Sequence, residues 1–242
     1  MFSFFQRKTI VSDISWLGVD IHSHLLPGID DGSGSMENSV AYIHKLQELG
    51  FEKLICTPHI FTDLYPNTPE TILPVLDELK GKIKSEGMSV TLDAAAEYMA
   101  DSSFKAQPGL LTLPGQHILI EMSYLAETPN IDQIIFELHV QGYKVVLAHP
   151  ERYLFYHKNF ERYQRMKELG CLLQLNLLSV TGYYGNGVKA AAEAILKAGL
   201  YDCAGTDLHH ERHLAVLEKN VQNGKMYELI GNYEFKNKEL FT

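Results

Sequence analysis

Short apolar, β-branched runs alternate along the chain with longer runs whose apolar residues recur at helical spacing. The short runs cover residues 17–21, 53–57, 90–95, 118–121, 144–148, 171–175 and 202–205. Their Val/Ile/Leu content, brevity and flanking turn residues predict strands. Between them, residues 36–49 set Val40, Ile43, Leu46 and Leu49 on one helical face, with Ser35 as N-cap and Gly50 as stop. Residues 69–84, 130–141, 159–169 and 187–197 carry the same periodicity, and the last two stop at Gly170 and Gly199. Strand followed by helix, seven times over, predicts a parallel α/β fold. Periodicity alone does not separate an open doubly wound sheet from a closed barrel. No Ser/Gly/Pro-rich linker interrupts the alternation, so one domain is expected. The longest irregular connections, 61–68 and 102–116, are the candidate substrate-contacting loops.

Composition narrows the function classes. The 242 residues carry 21 basic against 30 acidic side chains, a formal charge of −9 that argues against a nucleic-acid partner. Bound cations would offset part of that carboxylate excess. Cys56, Cys171 and Cys203 lie in apolar surroundings and cannot build a disulfide framework, which predicts a reducing, cytoplasmic location. No apolar run reaches the ~18 residues of a membrane span. Met1-Phe2-Ser3-Phe4-Phe5-Gln6-Arg7-Lys8 is apolar and then basic, the reverse of a signal peptide, and reads as part of a short packed arm over 1–17.

The chain has 11 histidines, and their positions carry the chemistry. Asp20, His22 and His24 follow the first predicted strand, His59 the second and Glu97 the third; Glu121 closes the fourth. His149 follows the fifth, and Asp207 and His209 the seventh. In a parallel α/β protein these strand ends open on one face, so the ligand-type side chains would converge. His22 and His24, like Asp207 and His209, are two residues apart, and an extended backbone points such pairs to the same side. Imidazole and carboxylate without thiolate suit Mn, Fe or Zn. His44, His117, His139 and His157 lack ligand-type company and read as structural; His210 and His213 stay undecided. A cysteine phosphatase is excluded, since Thr62, Leu177 and His209 stand where its arginine would follow each cysteine. The Gly-rich stretch 28–34 lacks a Walker lysine and the dinucleotide spacing, and reads as a turn carrying one more ligand, Asp31. There is no Gly-x-Ser-x-Gly elbow.

The segment from Val19 to Gly32, containing Asp20-Ile21-His22-Ser23-His24 and Asp30-Asp31-Gly32, resembles the first motif of the PHP (polymerase and histidinol phosphatase) superfamily. Cys56-Thr57-Pro58-His59, Ala148-His149-Pro150-Glu151-Arg152-Tyr153 and Thr206-Asp207-Leu208-His209 resemble the later motifs, with Glu97 and Glu121 as the intervening carboxylates. More narrowly, the chain resembles the bacterial manganese-dependent protein-tyrosine phosphatases of the CpsB/YwqE/CapC type, found with capsular and exopolysaccharide systems. That resemblance runs from about Gly18 to His213.

It implies a distorted (β/α)7 barrel over 18–242 and three divalent metal ions, manganese above iron or zinc. His22, His24, Glu97 and Asp207 would hold one ion. Glu97 would bridge to a second, held also by Glu121 and His149, and Asp31, His59 and His209 would hold the third. Arg152 would bind the phosphate, and His209 or a metal-bound water could supply a proton. The implied reaction is phosphotyrosine hydrolysis by a metal-activated hydroxide, on the tail of a membrane-anchored bacterial tyrosine kinase. Tyr65, Tyr98, Tyr124 and Phe155 are candidates to flank the phenol ring, with partial core packing as the alternative reading. The rivals are a small-molecule phosphatase such as a histidinol-phosphate phosphatase, a PHP nuclease or polymerase-associated module, and a non-catalytic metal-binding regulator. The negative charge counts against the nuclease. The oligomeric state, a homo-oligomer included, is left open.

Overall fold

The apolar runs form strands, and every pairing between two strands is parallel. The computed structural model describes residues 10–242, so the first nine residues of the expected arm lie outside the described part. The strands are β1 (Val19–Asp20), β2 (Lys53–Cys56), β3 (His59–Ile60), β4 (Thr91–Ala94), β5 (Glu97–Met99), β6 (His117–Glu121), β7 (Lys144–Ala148), β8 (Leu172–Asn176) and β9 (Cys203–Gly205). They pair in the orders β1-β2-β4 and β3-β5-β6-β7-β8-β9. Two predicted strands are therefore each broken: β2 resumes as β3 past Thr57-Pro58, and β4 resumes as β5 past Ala95-Ala96. Pro58 has no N–H for a ladder bond, which accounts for the first break.

Backbone bonds carry the pairing across both breaks. Ala95 N donates to Cys56 O (2.9 Å) and Glu97 N to Pro58 O (3.1 Å). At the other seam, Ser23 and Leu208 form a parallel bridge, Asp207 N donates to His22 O (2.7 Å) and His24 N donates to Leu208 O (3.0 Å). Seven strand lines thus follow one another in chain order and the last returns to the first, as a distorted barrel.

Helices α1 (Met36–Glu48), α2 (Pro69–Ser85), α3 (Ile131–Val140), α4 (Glu161–Glu168) and α5 (Asn186–Lys197) lie in the connections. The Ser35 hydroxyl accepts from Asn38 N at the start of α1, as its capping position predicts (3.2 Å). The strict strand–helix alternation fails once. Between β5 and β6, residues 100–116 form a loop ending in a short 3-10 turn, because Ser, Gly and Pro leave no apolar helical face there.

The chain after β9 forms α6 (Glu211–Gln222), α7 (Lys225–Ile230) and α8 (Asn237–Phe241). This tail, which offered no sequence signal, plugs the end of the barrel where the strands begin. Phe241 is fully buried in the interior cluster with Val19, Ile55, Leu119, Val146 and Cys203. Asn237 Nδ2 donates to Val19 O (2.8 Å) and Ala204 O (2.7 Å), and Ala204 N donates back to Asn237 Oδ1 (3.0 Å). Burying a phenylalanine side chain is worth roughly 1.5–3 kcal/mol. A larger apolar cluster fills the layer between strands and helices. Ile14 and Leu17, inside the expected arm, belong to that layer, and Ile14 N donates to Leu49 O (2.8 Å). Among the described residues no helix is long and apolar enough to cross a membrane. With one barrel end plugged, polar side chains collect at the other, where the strands finish.

Candidate metal centre

The nine predicted ligands converge at that open end. His22 Nε2 lies 3.3 Å from His24 Nε2, 3.2 Å from Glu97 Oε2 and 3.3 Å from Asp207 Oδ1. His59 Nδ1 lies 3.2 Å from Glu97 Oε2 and 3.1 Å from Glu121 Oε1, and His149 Nε2 lies 3.2 Å from Glu97 Oε1. Asp31 Oδ1 reaches His59 Nε2 (3.4 Å) and His209 Nε2 (3.6 Å). Four overlapping groups could each hold a cation: His24/Asp31/His59/His209, His22/His24/Asp207, His22/Glu97/His149 and His59/Glu97/Glu121. These groupings share members differently from the sets implied by resemblance. His24 also joins the Asp31 group, and Glu97 stands between the other two.

The donor set fits divalent cations. Glu97 Oε2 is buried without a hydrogen-bond partner although imidazole nitrogens of His22, His24 and His59 surround it at 3.2–3.4 Å. A buried carboxylate oxygen so placed is costly unless a positive charge meets it. Nitrogen and oxygen donors without a thiolate suit first-row divalent ions.

Local backbone geometry serves this convergence. His149 (φ 33) and Asp207 (φ 50) adopt the left-handed conformation that side-chain-bearing residues avoid. Glycine is required beside two ligands: a Cβ on Gly205 would lie 2.7 Å from His22 Cβ, and one on Gly32 2.2 Å from His24 O.

The electrostatics of the metal-free site follow from burial and pairing. Burial works against a charged His22, but the Glu97 and Asp207 carboxylates outweigh it and raise its pKa to about 9. His24 is held well above the usual histidine range, against burial, chiefly by Asp30. Burial likewise opposes ionisation of Glu97 and Asp207, yet the His22 imidazole and further partners hold both well below the carboxylate range. His209 moves the other way. Burial and the neighbouring His24 charge lower it to about 4, which favours the neutral imidazole.

Several residues outside the predicted ligand set support it. Asp30, passed over for its neighbour Asp31, faces His24 Nδ1 (2.8 Å) with Oδ2, which also accepts from His59 N (3.2 Å). Asp20 points back toward Thr206, accepting from its N (2.9 Å) and Oγ1 (2.5 Å). Gln174 and Asn176 reach the cluster from β8. His210 caps α6 by accepting from His213 N (3.3 Å), and His213 Nδ1 lies 3.4 Å from His209 N, so both support the ligand-bearing turn. His117, His139 and His157 meet backbone carbonyls elsewhere, and His44 sits beside Glu48 on α1.

A cavity of about 280 Å3 opens beside the cluster. Arg152 projects into it with its guanidinium between the faces of Tyr124 (4.7 Å) and Tyr184 (4.3 Å) and Nη1 on Asp207 Oδ2 (2.6 Å). Phe61, Leu64 and Tyr65, from the first of the two predicted contact loops, form an apolar wall, and Tyr65 stacks on His59 (5.5 Å, 16°). Residues 102–116 contribute nothing to the lining. Tyr98 and Phe155 are likewise absent from it: the Tyr98 hydroxyl accepts from Leu111 N (2.7 Å), and Phe155 stacks on Tyr153 (5.5 Å).

Residues 18–222 match the family model described as capsular polysaccharide synthesis, CpsB/CapC. The chain belongs to the CpsB/CapC family. Among its relatives, the tyrosine-protein phosphatase YwqE of Bacillus subtilis is 28% identical over 237 residues, 92% of this chain and 93% of that one. A crystal structure from work on YwqE of B. subtilis and CpsB of Streptococcus pneumoniae, described as unique metal-dependent tyrosine phosphatases, matches with a TM-score of 0.77 and 27% identity. It covers 93% of this chain and 95% of that one. The histidinol phosphate phosphatase of Lactococcus lactis, solved with zinc, L-histidinol and phosphate, shares the fold at a TM-score of 0.52 and 13% identity, over 86% of this chain and 94% of that one.

Proposed function

We propose that this CpsB/CapC-family chain is a metal-dependent protein-tyrosine phosphatase acting in the cytoplasm on a membrane-anchored tyrosine kinase that controls capsular or extracellular polysaccharide synthesis. The observation that carries the reading is the overlap of four cation-binding groups directly beside Arg152 in an aromatic-walled cavity. His22, His24, Asp31, His59, Glu97, Glu121, His149, Asp207 and His209 are the ligands, for three divalent ions, manganese first among them and iron or zinc as substitutes. Residues 18–242 form the phosphatase unit. Its buried cysteines are free thiols, as a reducing compartment requires.

Bound divalent cations supply a deprotonated water at neutral pH and offset phosphoryl charge. The chain's own groups do the rest. Arg152 spends Nη1 on Asp207 and keeps its remaining N–H groups for phosphate oxygens, while Tyr124 and Tyr184 hold the guanidinium plane fixed. Tyr65 and Tyr124 flank the substrate ring. The phenolate, with a pKa of ~10, departs with little protonation, and His209 or a bound water supplies a proton where one is needed. The test is hydrolysis of a phosphotyrosyl peptide with manganese, with and without chelator. Chelator-sensitive turnover is expected. Preference for histidinol phosphate would overturn the substrate class, and no turnover by fully metal-loaded protein would leave a non-catalytic regulator.

A further inference from the structure

We propose that Gln174 is a positioning residue of the metal centre: its side-chain oxygen keeps the His22 proton on Nδ1, committing Nε2 to the cation, and fixes the turn that presents His149. The proposal rests on the metal-centre reading above.

Gln174 lies on β8 and is fully buried. Two backbone groups determine which way its amide faces. His149 N can only donate, and it lies 3.1 Å from Oε1. Leu175 O can only accept, and it lies 2.7 Å from Nε2. Turning the amide over would set donor against donor and acceptor against acceptor, so its orientation is specified. The same oxygen lies 3.1 Å from His22 Nδ1. Facing that oxygen, Nδ1 carries a proton whether or not a cation is bound, so Nε2, on the side of Glu97 and Asp207, is the nitrogen that gives up its proton to a cation. Because His149 has φ 33, its N–H is also one anchor of a strained turn. One atom thereby ties a ligand following β1 to a ligand following β7. Outer partners of this kind typically change metal affinity 10–100-fold.

The experiment compares wild type, Gln174→Met and Gln174→Glu for zinc affinity by chelator competition, for metal-free thermal stability, and by 15N-histidine NMR of the zinc-loaded protein. Gln174→Met, similar in size but without an acceptor, should weaken zinc binding about 10–100-fold while the metal-free protein still melts cooperatively. Gln174→Glu keeps the acceptor and should recover most of the loss. In wild type, His22 should show a protected Nδ1 proton and coordination through Nε2. Zinc binding by Gln174→Met as tight as wild type overturns the proposal alone. Wild type that binds no metal overturns the metal centre and the proposal together. The NMR readout needs no variant, so a Gln174→Met protein that fails to fold still leaves a decision: coordination of His22 through Nδ1 refutes the assignment.

Discussion

Stripping the metals should make the protein progressively less stable as the pH rises from about 6.5 to 9. In the metal-free site His22 has a pKa raised to about 9 by Glu97 and Asp207, against 6.5 when unfolded. A folded-state pKa above the unfolded one gives stability that is complete below about 6.5 and lost as the pH passes through about 9. At ~1.4 kcal/mol per pH unit, His22 alone accounts for about 3 kcal/mol. His24 and His59, also raised, act with the same sign. Glu97 and Asp207, both depressed, contribute stability already complete above about pH 4.5, so they do not alter this window. For a chain of 242 residues each kcal/mol moves Tm by roughly 2–4 °C, so Tm should fall by about 6–12 °C. The assay is calorimetry of chelator-treated protein across pH 6.5–9.5, with a manganese-loaded control in which cations replace those protons and the decline disappears. A metal-free Tm that stays flat or rises over the window refutes the assigned proximity of carboxylates and imidazoles.

Other parts of the site make separate predictions. Arg152→Ala should lower kcat/KM for a phosphotyrosyl peptide by about 100-fold, the scale of one charged hydrogen bond, while metal content stays that of wild type; parallel metal loss would refute a phosphate-binding role. Gly205→Ala adds a Cβ only 2.7 Å from His22 Cβ; overpacking of about 1–3 kcal/mol should appear as a lower Tm together with weaker metal binding, and unchanged values of both would contradict the packing. Phe241→Ala, far from the ligands, should cost about 3–5 kcal/mol in chemical denaturation with the metal stoichiometry of the folded fraction intact; an undiminished midpoint would rule out the plug.

Much of the architecture was legible because strands buried on both faces read as apolar runs, and because ligand-type residues stood at their ends. His22 and His24 were readable from their alternation, and the turn 28–34 was recognisable as a ligand-bearing loop. The breaks between β2 and β3 and between β4 and β5 were not, since two or three residues of pairing leave no periodicity. Choosing Asp31 and overlooking Asp30 shows a finer limit: adjacent carboxylates look alike until the fold decides which faces a cation site and which faces an imidazole Nδ1. Gln174 and Asn176 were illegible for a related reason. An inward-facing amide in a strand has no spacing signature, and its meaning lies in partners far away along the chain, His22 for Gln174 and Asp207 for Asn176. Tyr98 and Phe155 follow the core-packing alternative, because proximity to a loop in sequence does not say which side of a strand a ring occupies.

The plug at the base of the barrel sets a schedule. Phe241 follows every strand in chain order and sits among side chains contributed by β1, β2, β6, β7 and β9. At ~5–20 residues per second of synthesis, the early strands exist for many seconds before the ring that encloses them can be sealed. His22 waits as long for Asp207, so these two candidate ligands meet only after all the strands between them have been made. Barrel closure is therefore a late event of maturation, and a cation site drawing on both His22 and Asp207 is complete only with it.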